Sequence, residues 1–290
     1  MRENRLRALL SSGRATLGTH LFLCSPTVVE AIGQTGAFDY VEFLGEYAPY
    51  DLYSLENFCR AAELYDLGSM IKIDFAGRRY VAQRSIGAGF ESVLFADCRS
   101  AEDVASCIRS VRADTPDERG FYGVAARRNA LPNYGGTPRY VRALSDIVVV
   151  VMIEKGPAVE VLDEILEVPG IDMVQWGPAD YAMSIGRPGE VTAPEVRAVE
   201  RKVIEMCLEA GVPPRAEISS VQQAAYYLDL GVRHFCFGYD LRVLQQVLGT
   251  GGEEMRALLA SASAPAPDVP GTAAVIPHEA QGNGRDGQVV

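Results

Sequence analysis

The sequence predicts one (β/α)8 TIM barrel. Eight short segments are apolar and rich in β-branched residues, as buried strands are, and amphipathic helical patterns separate most of them. Alternation of strands and helices along 290 residues favours one large α/β domain over two small ones. The predicted strands are 18–23, 40–45, 70–74, 92–96, 148–153, 172–177, 214–218 and 234–238.

Helices are predicted between the strands, where apolar residues recur at helical spacing. Gly68, Gly211 and Gly231 stand where the glycine that follows a helix is expected. The alternative architecture is an open doubly wound sheet, which usually carries a glycine-rich phosphate loop that this sequence lacks. The predicted helices are 26–32, 54–67, 79–88, 101–112, 138–144, 158–168, 194–210 and 220–230.

The two ends of the chain differ in composition from the rest. The charged N-terminal residues predict a short amphipathic helix that covers one end of the barrel, within a domain of residues 1–261. We expect residues 262–290, dominated by Ala, Pro, Gly and Ser, to form a disordered tail, because they cannot bury enough apolar surface. A further helix is predicted over 241–259, with a break at the glycine-rich residues 249–252.

Composition excludes several classes of protein. A net charge of −11 makes nucleic acid an unfavourable partner, and no apolar stretch is long enough to cross a membrane. The N-terminal residues lack the apolar core of a signal peptide. The 6 cysteines are scattered without a CxxC pair, which indicates reduced thiols in a cytoplasmic protein rather than a zinc site.

Two carboxylates mark the predicted active site. Glu154 follows the strand 148–153 and Asp180 follows the strand 172–177, with a predicted helix between them. A strand–helix–strand unit makes the two strands parallel, so both acids should lie at the same edge of the sheet. Two carboxylates with room for water and substrate suit a hard divalent ion, Mg²⁺ or Mn²⁺. The sequence therefore predicts a metal-assisted enzyme.

Other polar residues are expected at the same end of the barrel, because the C-terminal ends of the strands build the active site of this fold. Glu46 and Tyr47 follow the second strand. Lys72 lies on the third strand between two isoleucines, so its ammonium group needs a carboxylate or a substrate as partner. Asp97 and Asp240 also follow or end strands and are interpreted as structural residues.

The residues around the two acids resemble those of a known family. The sequence reads M-I-E ending at Glu154, V-P-G-I-D ending at Asp172, and W-G-P-A-D-Y-A-M-S-I-G ending at Gly186. This pattern resembles the HpcH/HpaI aldolase family, whose members are pyruvate-dependent, divalent-metal (class II) aldolases on a (β/α)8 barrel. The resemblance extends over about residues 18–248 and is most specific over 154–186.

The resemblance implies roles for several residues. Glu154 and Asp180 would hold the metal, and the backbone N–H groups of Ala179 and Asp180, next to Gly177, would receive the carboxylate of a 2-oxo acid. A metal that chelates this carboxylate and the oxo oxygen would make an enolate accessible near neutral pH. The family also implies an aldehyde or ketone as second substrate, and a homo-oligomer, either a hexamer or a trimer.

A long irregular segment, 114–137, is expected to contact that second substrate. Such loops in compact domains tend to be functional. The resemblance implies that this segment lies near the mouth of the active site, so Arg127 and Arg128 are predicted to bind substrate. The alternative interpretation is a solvated basic pair.

The sequence departs from the family pattern in its proton-transfer residues. The motif Asp-x-Glu-His after the second strand reads L-G-E-Y at 44–47, so Tyr47 replaces the acid/base histidine. Lys72 stands for an arginine and keeps its charge without its two-pronged geometry, and Met152 stands for a glutamine. A tyrosine with a pKa of ~10 is a poor base at pH 7, so Glu46 or a water is the expected base.

The sequence thus predicts a metal-dependent carbon–carbon lyase or aldolase that acts on a pyruvate-like 2-oxo acid through an enolate, with Lys72, Tyr47 and Glu46 as catalytic residues. Three alternatives stay open: a decarboxylase of an oxaloacetate-like acid, a non-catalytic barrel that binds a carboxylate, and a phosphoenolpyruvate-type or acyl-CoA lyase. The last would need a basic patch, which only Arg127 and Arg128 offer. Lys72 as a Schiff-base nucleophile would make two metal carboxylates redundant.

Overall fold

The computed structural model describes residues 2–131 and 135–262. The strands pair in parallel in the order of the sequence, and the last pairs with the first, so the sheet closes into a barrel. This confirms the predicted fold. The strands are β1 (Thr16–Leu21), β2 (Tyr40–Phe43), β3 (Gly68–Ile73), β4 (Ser92–Phe95), β5 (Val148–Ile153), β6 (Met173–Trp176), β7 (Pro214–Ile218) and β8 (His234–Tyr239).

Helices alternate with the strands, close to the predicted positions. They are α1 (Arg5–Ser11), α2 (Pro26–Thr35), α3 (Leu52–Leu64), α4 (Arg78–Ala88), α5 (Ala101–Val111), α6 (Pro138–Ser145), α7 (Gly156–Glu160), α8 (Leu162–Leu166), α9 (Pro178–Ser184), α10 (Pro194–Glu209), α11 (Val221–Asp229) and α12 (Asp240–Ala262). The predicted helix 158–168 is divided into α7 and α8, and α9 is too short to show a periodic pattern. Within the described residues, no helix is both long and apolar enough to span a membrane.

Apolar side chains pack on both sides of the barrel wall, because successive residues of a strand point to opposite faces. Residues 148, 150 and 152 of β5 belong to the cluster that fills the barrel, whereas residues 149, 151 and 153 belong to the cluster that includes buried residues of the outer helices. Leu6 of α1 joins the inner cluster and is 1% exposed. The predicted N-terminal helix therefore packs against the apolar interior of the barrel.

A charged network interrupts the apolar interior. The guanidinium of Arg215 donates to Glu42, to Gln175 and, over 2.8 Å, to the hydroxyl of Tyr40. Nε2 of His20 lies 3.5 Å from Glu42. Burial alone would raise the pKa of the Glu42 carboxyl, but Arg215 and His20 lower it to about 2. Glu42 is therefore an ionised carboxylate inside the barrel, with Arg215 as its counter-ion.

The described part of the chain divides into two units, with the boundary after Gln245, inside α12. The predicted break at residues 249–252 is wrong, since α12 is helical from Asp240 to Ala262. Each glycine costs a helix about 1 kcal/mol relative to alanine. The Leu, Gln, Glu and Arg residues on either side are good helix formers, and the helix continues across the glycines. The predicted disordered tail lies outside the described residues from position 263 on.

Removal of the Arg215 guanidinium is expected to destabilise the barrel, because Glu42 would stay buried without a counter-ion. Arg215→Met should lower the free energy of unfolding by roughly 3–5 kcal/mol, and Arg215→Met/Glu42→Gln should recover part of that loss. Urea denaturation followed by circular dichroism measures both. The control Arg60→Met, at an exposed i,i+4 pair with Glu56, should change stability by less than about 0.5 kcal/mol. Wild-type stability in Arg215→Met would contradict the role of the pair.

Candidate active site

A cavity of about 510 Å³ opens at the C-terminal ends of the barrel strands. Glu46 lies beside it, with Oε2 2.7 Å from Nζ of Lys72. The structure thus brings together the residues that the sequence placed at the ends of the second, third, fifth and sixth strands. The predicted site residues that line the cavity are Tyr47, Lys72, Glu154, Gly177, Ala179 and Asp180.

Glu154 is held in place by the loop that follows β4. Its Oε1 accepts a hydrogen bond of 2.6 Å from the backbone N–H of Asp97. Asp97 has a φ of 57°, in the left-handed region that Asp adopts more readily than most residues other than glycine. Burial raises the pKa of Glu154, and the nearby Asp180 and Glu46 carboxylates add to the rise, although the N–H of Asp97 and the charge of Lys72 oppose it. The loop after β4 therefore holds a buried acid through a backbone N–H.

Gly177 leaves the space that Glu154 occupies. A Cβ atom at position 177 would lie 2.6 Å from both Cβ and Oε2 of Glu154. The φ of Gly177 is −115°, which any residue can adopt, so the need for glycine is steric. The glycine of the G-P-A-D motif and the glutamate of the preceding strand are thus matched in shape.

Lys155 links the other carboxylates. Its Nζ lies 2.7 Å from Oδ1 of Asp180 and 2.8 Å from Oδ1 of Asp97. Burial alone would lower the pKa of Lys155, but hydrogen bonds to Asp180 and Asp97 outweigh it and raise the pKa. The ammonium group is therefore a permanent cation between two acids. Arg99, an exposed residue 4.0 Å from Asp97, adds only a weakly coupled surface charge.

Lys72, Tyr47 and Glu46 form a second charged group. Nζ of Lys72 lies 2.5 Å from the hydroxyl of Tyr47 and 4.5 Å from the centre of its ring. Partial burial raises the pKa of Tyr47 to about 12, although the charge of Lys72 opposes the shift. Tyr47 and Glu46 raise the pKa of Lys72, although burial opposes it. At neutral pH the pair is therefore a neutral phenol and an ammonium group.

The charges around Glu154 and Asp180 fit a divalent cation. We call the acids and lysines of these two neighbouring groups the rim cluster. Its four carboxylates and two ammonium groups leave a formal excess of two negative charges (four minus two). The available donors are carboxylate oxygens, which suit Mg²⁺ or Mn²⁺. The rim cluster consists of Glu46, Lys72, Asp97, Glu154, Lys155 and Asp180.

A second group of possible ligands lies inside the barrel. Donor atoms of His20, Glu42 and Cys236 lie within 4.8 Å of one another. However, Glu42 is bound by the guanidinium of Arg215, and Nη2 of Arg215 is 3.4 Å from Nε2 of His20. A divalent ion there would lie beside a buried guanidinium, which is electrostatically unfavourable. We therefore interpret this group as part of the structural charge network.

The side chains of Arg127 and Arg128, which are predicted to bind substrate, contact helices α3 and α4. Arg128 pairs with Glu63 over 2.6 Å and donates to the carbonyl of Ala88 over 2.8 Å, at the C-terminal ends of α3 and α4. Arg127 donates to the carbonyl of Gln83. Within the described residues, neither arginine lines the cavity. Both side chains instead satisfy acceptors on outer helices, far in sequence from their loop.

Sequence reasoning missed two residues of the rim cluster. Asp97 was interpreted as structural, yet its N–H holds Glu154 and its carboxylate pairs with Lys155. Lys155 received no role, although its position directly after Glu154 was a usable signal. The structural interpretation of Asp240 agrees with its contacts, since it accepts hydrogen bonds from the backbone of Phe22 and Leu23.

Substitution of Gly177 by alanine is expected to destabilise the protein, because the new methyl group overlaps Glu154. Gly177→Ala should lower the free energy of unfolding by roughly 1–3 kcal/mol, the usual range for overpacking. The control is Gly123→Ala, where a Cβ atom meets nothing within 4 Å. Chemical denaturation of the two variants measures the difference. Equal stability would show that Glu154 can move aside without cost.

Known proteins resemble this chain in sequence and in structure. The 4-hydroxy-2-oxo-heptane-1,7-dioate aldolase of Shigella flexneri is 29% identical over 243 residues, which cover 83% of this chain and 89% of that enzyme. An HpcH/HpaI aldolase/citrate lyase family protein from Burkholderia cenocepacia is 26% identical, with a TM-score of 0.78, over 87% of this chain and 99% of that chain. The HpcH/HpaI aldolase of Desulfitobacterium hafniense shares the fold, with a TM-score of 0.77 at 23% identity over 87% and 96% of the two chains.

The match to a family model covers most of the barrel. The model of the HpcH/HpaI aldolase/citrate lyase family matches residues 18–245, which include every residue of the rim cluster. The predicted family is therefore confirmed on a closed parallel barrel with the expected carboxylates at one rim. The chain is a carbon–carbon lyase that belongs to the HpcH/HpaI aldolase/citrate lyase family.

Proposed function

We propose that the protein is a metal-dependent aldolase that cleaves or forms a carbon–carbon bond beside a pyruvate-like 2-oxo acid. The observation that carries this proposal is the cavity lined by Glu154, Asp180 and Lys72, whose surroundings have an excess of negative charge. Family membership supports the same reaction class.

Glu154 and Asp180 are the residues that would hold Mg²⁺ or Mn²⁺. Such an ion, when bound, supplies Lewis acidity that polarises a 2-oxo carbonyl and lowers the pKa of the adjacent C–H. The all-oxygen donor set and the formal charge of the rim cluster support this assignment. Asp97 would orient Glu154 through its backbone N–H.

The first turn of α9 would receive the substrate carboxylate. Ala179 and Asp180 lie in that turn, directly after Gly177, and the first N–H groups of a helix have no partner within the helix. Lys72 would brace the 2-oxo oxygen, because its ammonium group supplies positive charge where negative charge develops in the enolate.

Tyr47 would orient the substrate as a neutral hydrogen-bond donor, with Glu46 or a water near it as the base. In the cleavage of a 4-hydroxy-2-oxo acid, the base takes the proton of the C4 hydroxyl and the C3–C4 bond breaks. An aldehyde or ketone leaves, and C3 of the enolate then takes a proton to give the 2-oxo acid. The related Shigella flexneri aldolase is named for a substrate of this class, which supports the assignment.

A decarboxylase of an oxaloacetate-like acid is the second candidate. It is favoured by Tyr47, whose pKa of about 12 makes it a poor base. Loss of CO₂ from such an acid yields the same enolate without removal of an alcohol proton, so a donor at this position is sufficient. The two reactions are separated by assaying 4-hydroxy-2-oxo acids and oxaloacetate side by side.

We also propose that the protein is a cytoplasmic homo-oligomer, a hexamer or a trimer. α12 supports an assembly, because it carries the exposed apolar side chains of Val247, Leu248, Leu258 and Leu259. The six cysteines are all free thiols, as is usual in a reducing compartment.

Loss of either proposed metal ligand should abolish turnover while leaving the fold intact. Glu154→Gln and Asp180→Asn should each lower kcat/KM by roughly 100-fold or more, since a metal supplies several kcal/mol of transition-state stabilisation. EDTA should remove activity, and Mn²⁺ should restore it. The reaction is followed by pyruvate release, with Asp163→Asn on the exposed face of α8 as the control. Full activity in EDTA or in Glu154→Gln would contradict the proposed metal dependence.

Tyr47→Phe should lower kcat by roughly 10- to 10³-fold, because it removes one positioned donor. Lys72→Met should cost at least as much. Since the pKa of Tyr47 is about 12, the wild-type pH profile should show no loss from its ionisation until the pH approaches that value. Steady-state rates across pH measure both effects, with Tyr53→Phe, at an 80% exposed tyrosine, as the control. Wild-type rates in Tyr47→Phe would leave that residue without a catalytic role.

A further inference from the structure

Lys155 occupies an unusual position for a side chain next to a metal ligand. It follows Glu154 directly, and its Nζ lies within 2.8 Å of carboxylate oxygens of both Asp97 and Asp180. Its side chain is only 14% exposed. One of the two proposed metal ligands is therefore already bound to a cation that belongs to the chain.

Lysine is rare in this sequence. Lys72, Lys155 and Lys202 are its lysines, whereas the remaining members of its 27 basic residues are arginines. An ammonium group is a compact point charge with donors in all directions, unlike the planar guanidinium. It can stand between two carboxylates much as a small metal ion would, and two of the three lysines belong to the rim cluster.

We propose that Lys155 is an internal cation that competes with the divalent metal for Asp180 and thereby sets the metal affinity of the site. The proposal rests on the metal site assigned under the proposed function. While Lys155 holds Oδ1 of Asp180, that oxygen is not free for a metal, and the ammonium charge repels a cation bound nearby. Release of Lys155 would also free Asp97 as a further carboxylate.

The competing explanation is that Lys155 positions Asp180 for the metal. The two explanations predict opposite signs. With Lys155 removed, the rim cluster has four carboxylates against one ammonium group, a formal charge of −3 instead of −2. Competition then predicts tighter metal binding, whereas a positioning role predicts weaker binding because Asp180 loses its support.

The test measures Mn²⁺ binding to the full-length protein by isothermal titration calorimetry, confirmed by electron paramagnetic resonance of free Mn²⁺. Lys155→Met removes the charge at similar length and should lower the Kd by about tenfold or more. Lys155→Arg retains the charge and should stay within about threefold of wild type. Lys202→Met, at an exposed lysine of α10, should leave the Kd unchanged.

Thermal unfolding supplies a second measurement. Lys155→Met leaves Asp97 and Asp180 without their shared cation, so its Tm without metal should fall below that of wild type. Saturating Mn²⁺ should raise the Tm of Lys155→Met more than it raises the Tm of wild type, because tighter binding to the folded state stabilises it more. A variant that does not fold would show no Mn²⁺-dependent transition, and Lys155→Gln then replaces it in both measurements.

The competition of Lys155 and the proposed metal site can fail separately. An unchanged or higher Kd in Lys155→Met overturns the competition but does not contradict the proposed metal site. Equal tightening in Lys155→Arg also overturns it, because charge would not be the cause. Failure of wild type and all variants to bind Mn²⁺ overturns the metal site itself, and the competition with it.

Discussion

Parallel closure of the barrel is the constraint on which the active site depends. Because all strands run in one direction, their C-terminal ends share one rim, and side chains from distant parts of the sequence meet there. The register that pairs Ile153 with Trp176 makes Glu154 and Gly177 leave the sheet side by side. Glu154 then fills the space that the glycine leaves, and Asp97, in the loop after the strand on the other side, donates its N–H.

Charge is used in two different ways inside this barrel. Arg215 and Glu42 form a closed, fully buried pair, in which each charge has its partner and the pKa of the carboxyl is low. The rim cluster is open instead: its acids share too few ammonium groups, and the pKa of Glu154 is raised. Removal of one partner from a buried pair of the first kind destabilises a fold, whereas unbalanced clusters in a cavity are typical of sites that bind a charged ligand.

Replacement of the expected histidine by Tyr47 changes the proton chemistry more than the electrostatics. Lys72 keeps a positive charge where the substrate oxygen is expected, and its contacts with Tyr47 and Glu46 hold it there. A phenol with a pKa of about 12 donates a hydrogen bond but does not accept a proton at neutral pH. The site therefore retains groups that would stabilise an enolate, while the base has to come from Glu46, from water, or from the reaction itself.

The sequence alone determined the barrel, the order of its strands and helices, and the two strand-end acids, because periodic burial of side chains is a local property of each segment. It did not determine the partners of Lys155, Asp97, Arg127 or Arg128. The positions of those side chains depend on acceptors in other strands and helices, which come within reach only when the sheet closes in register. For that reason the side chains of Arg127 and Arg128 contact outer helices, whereas the side chain of Lys155 lies in the rim cluster.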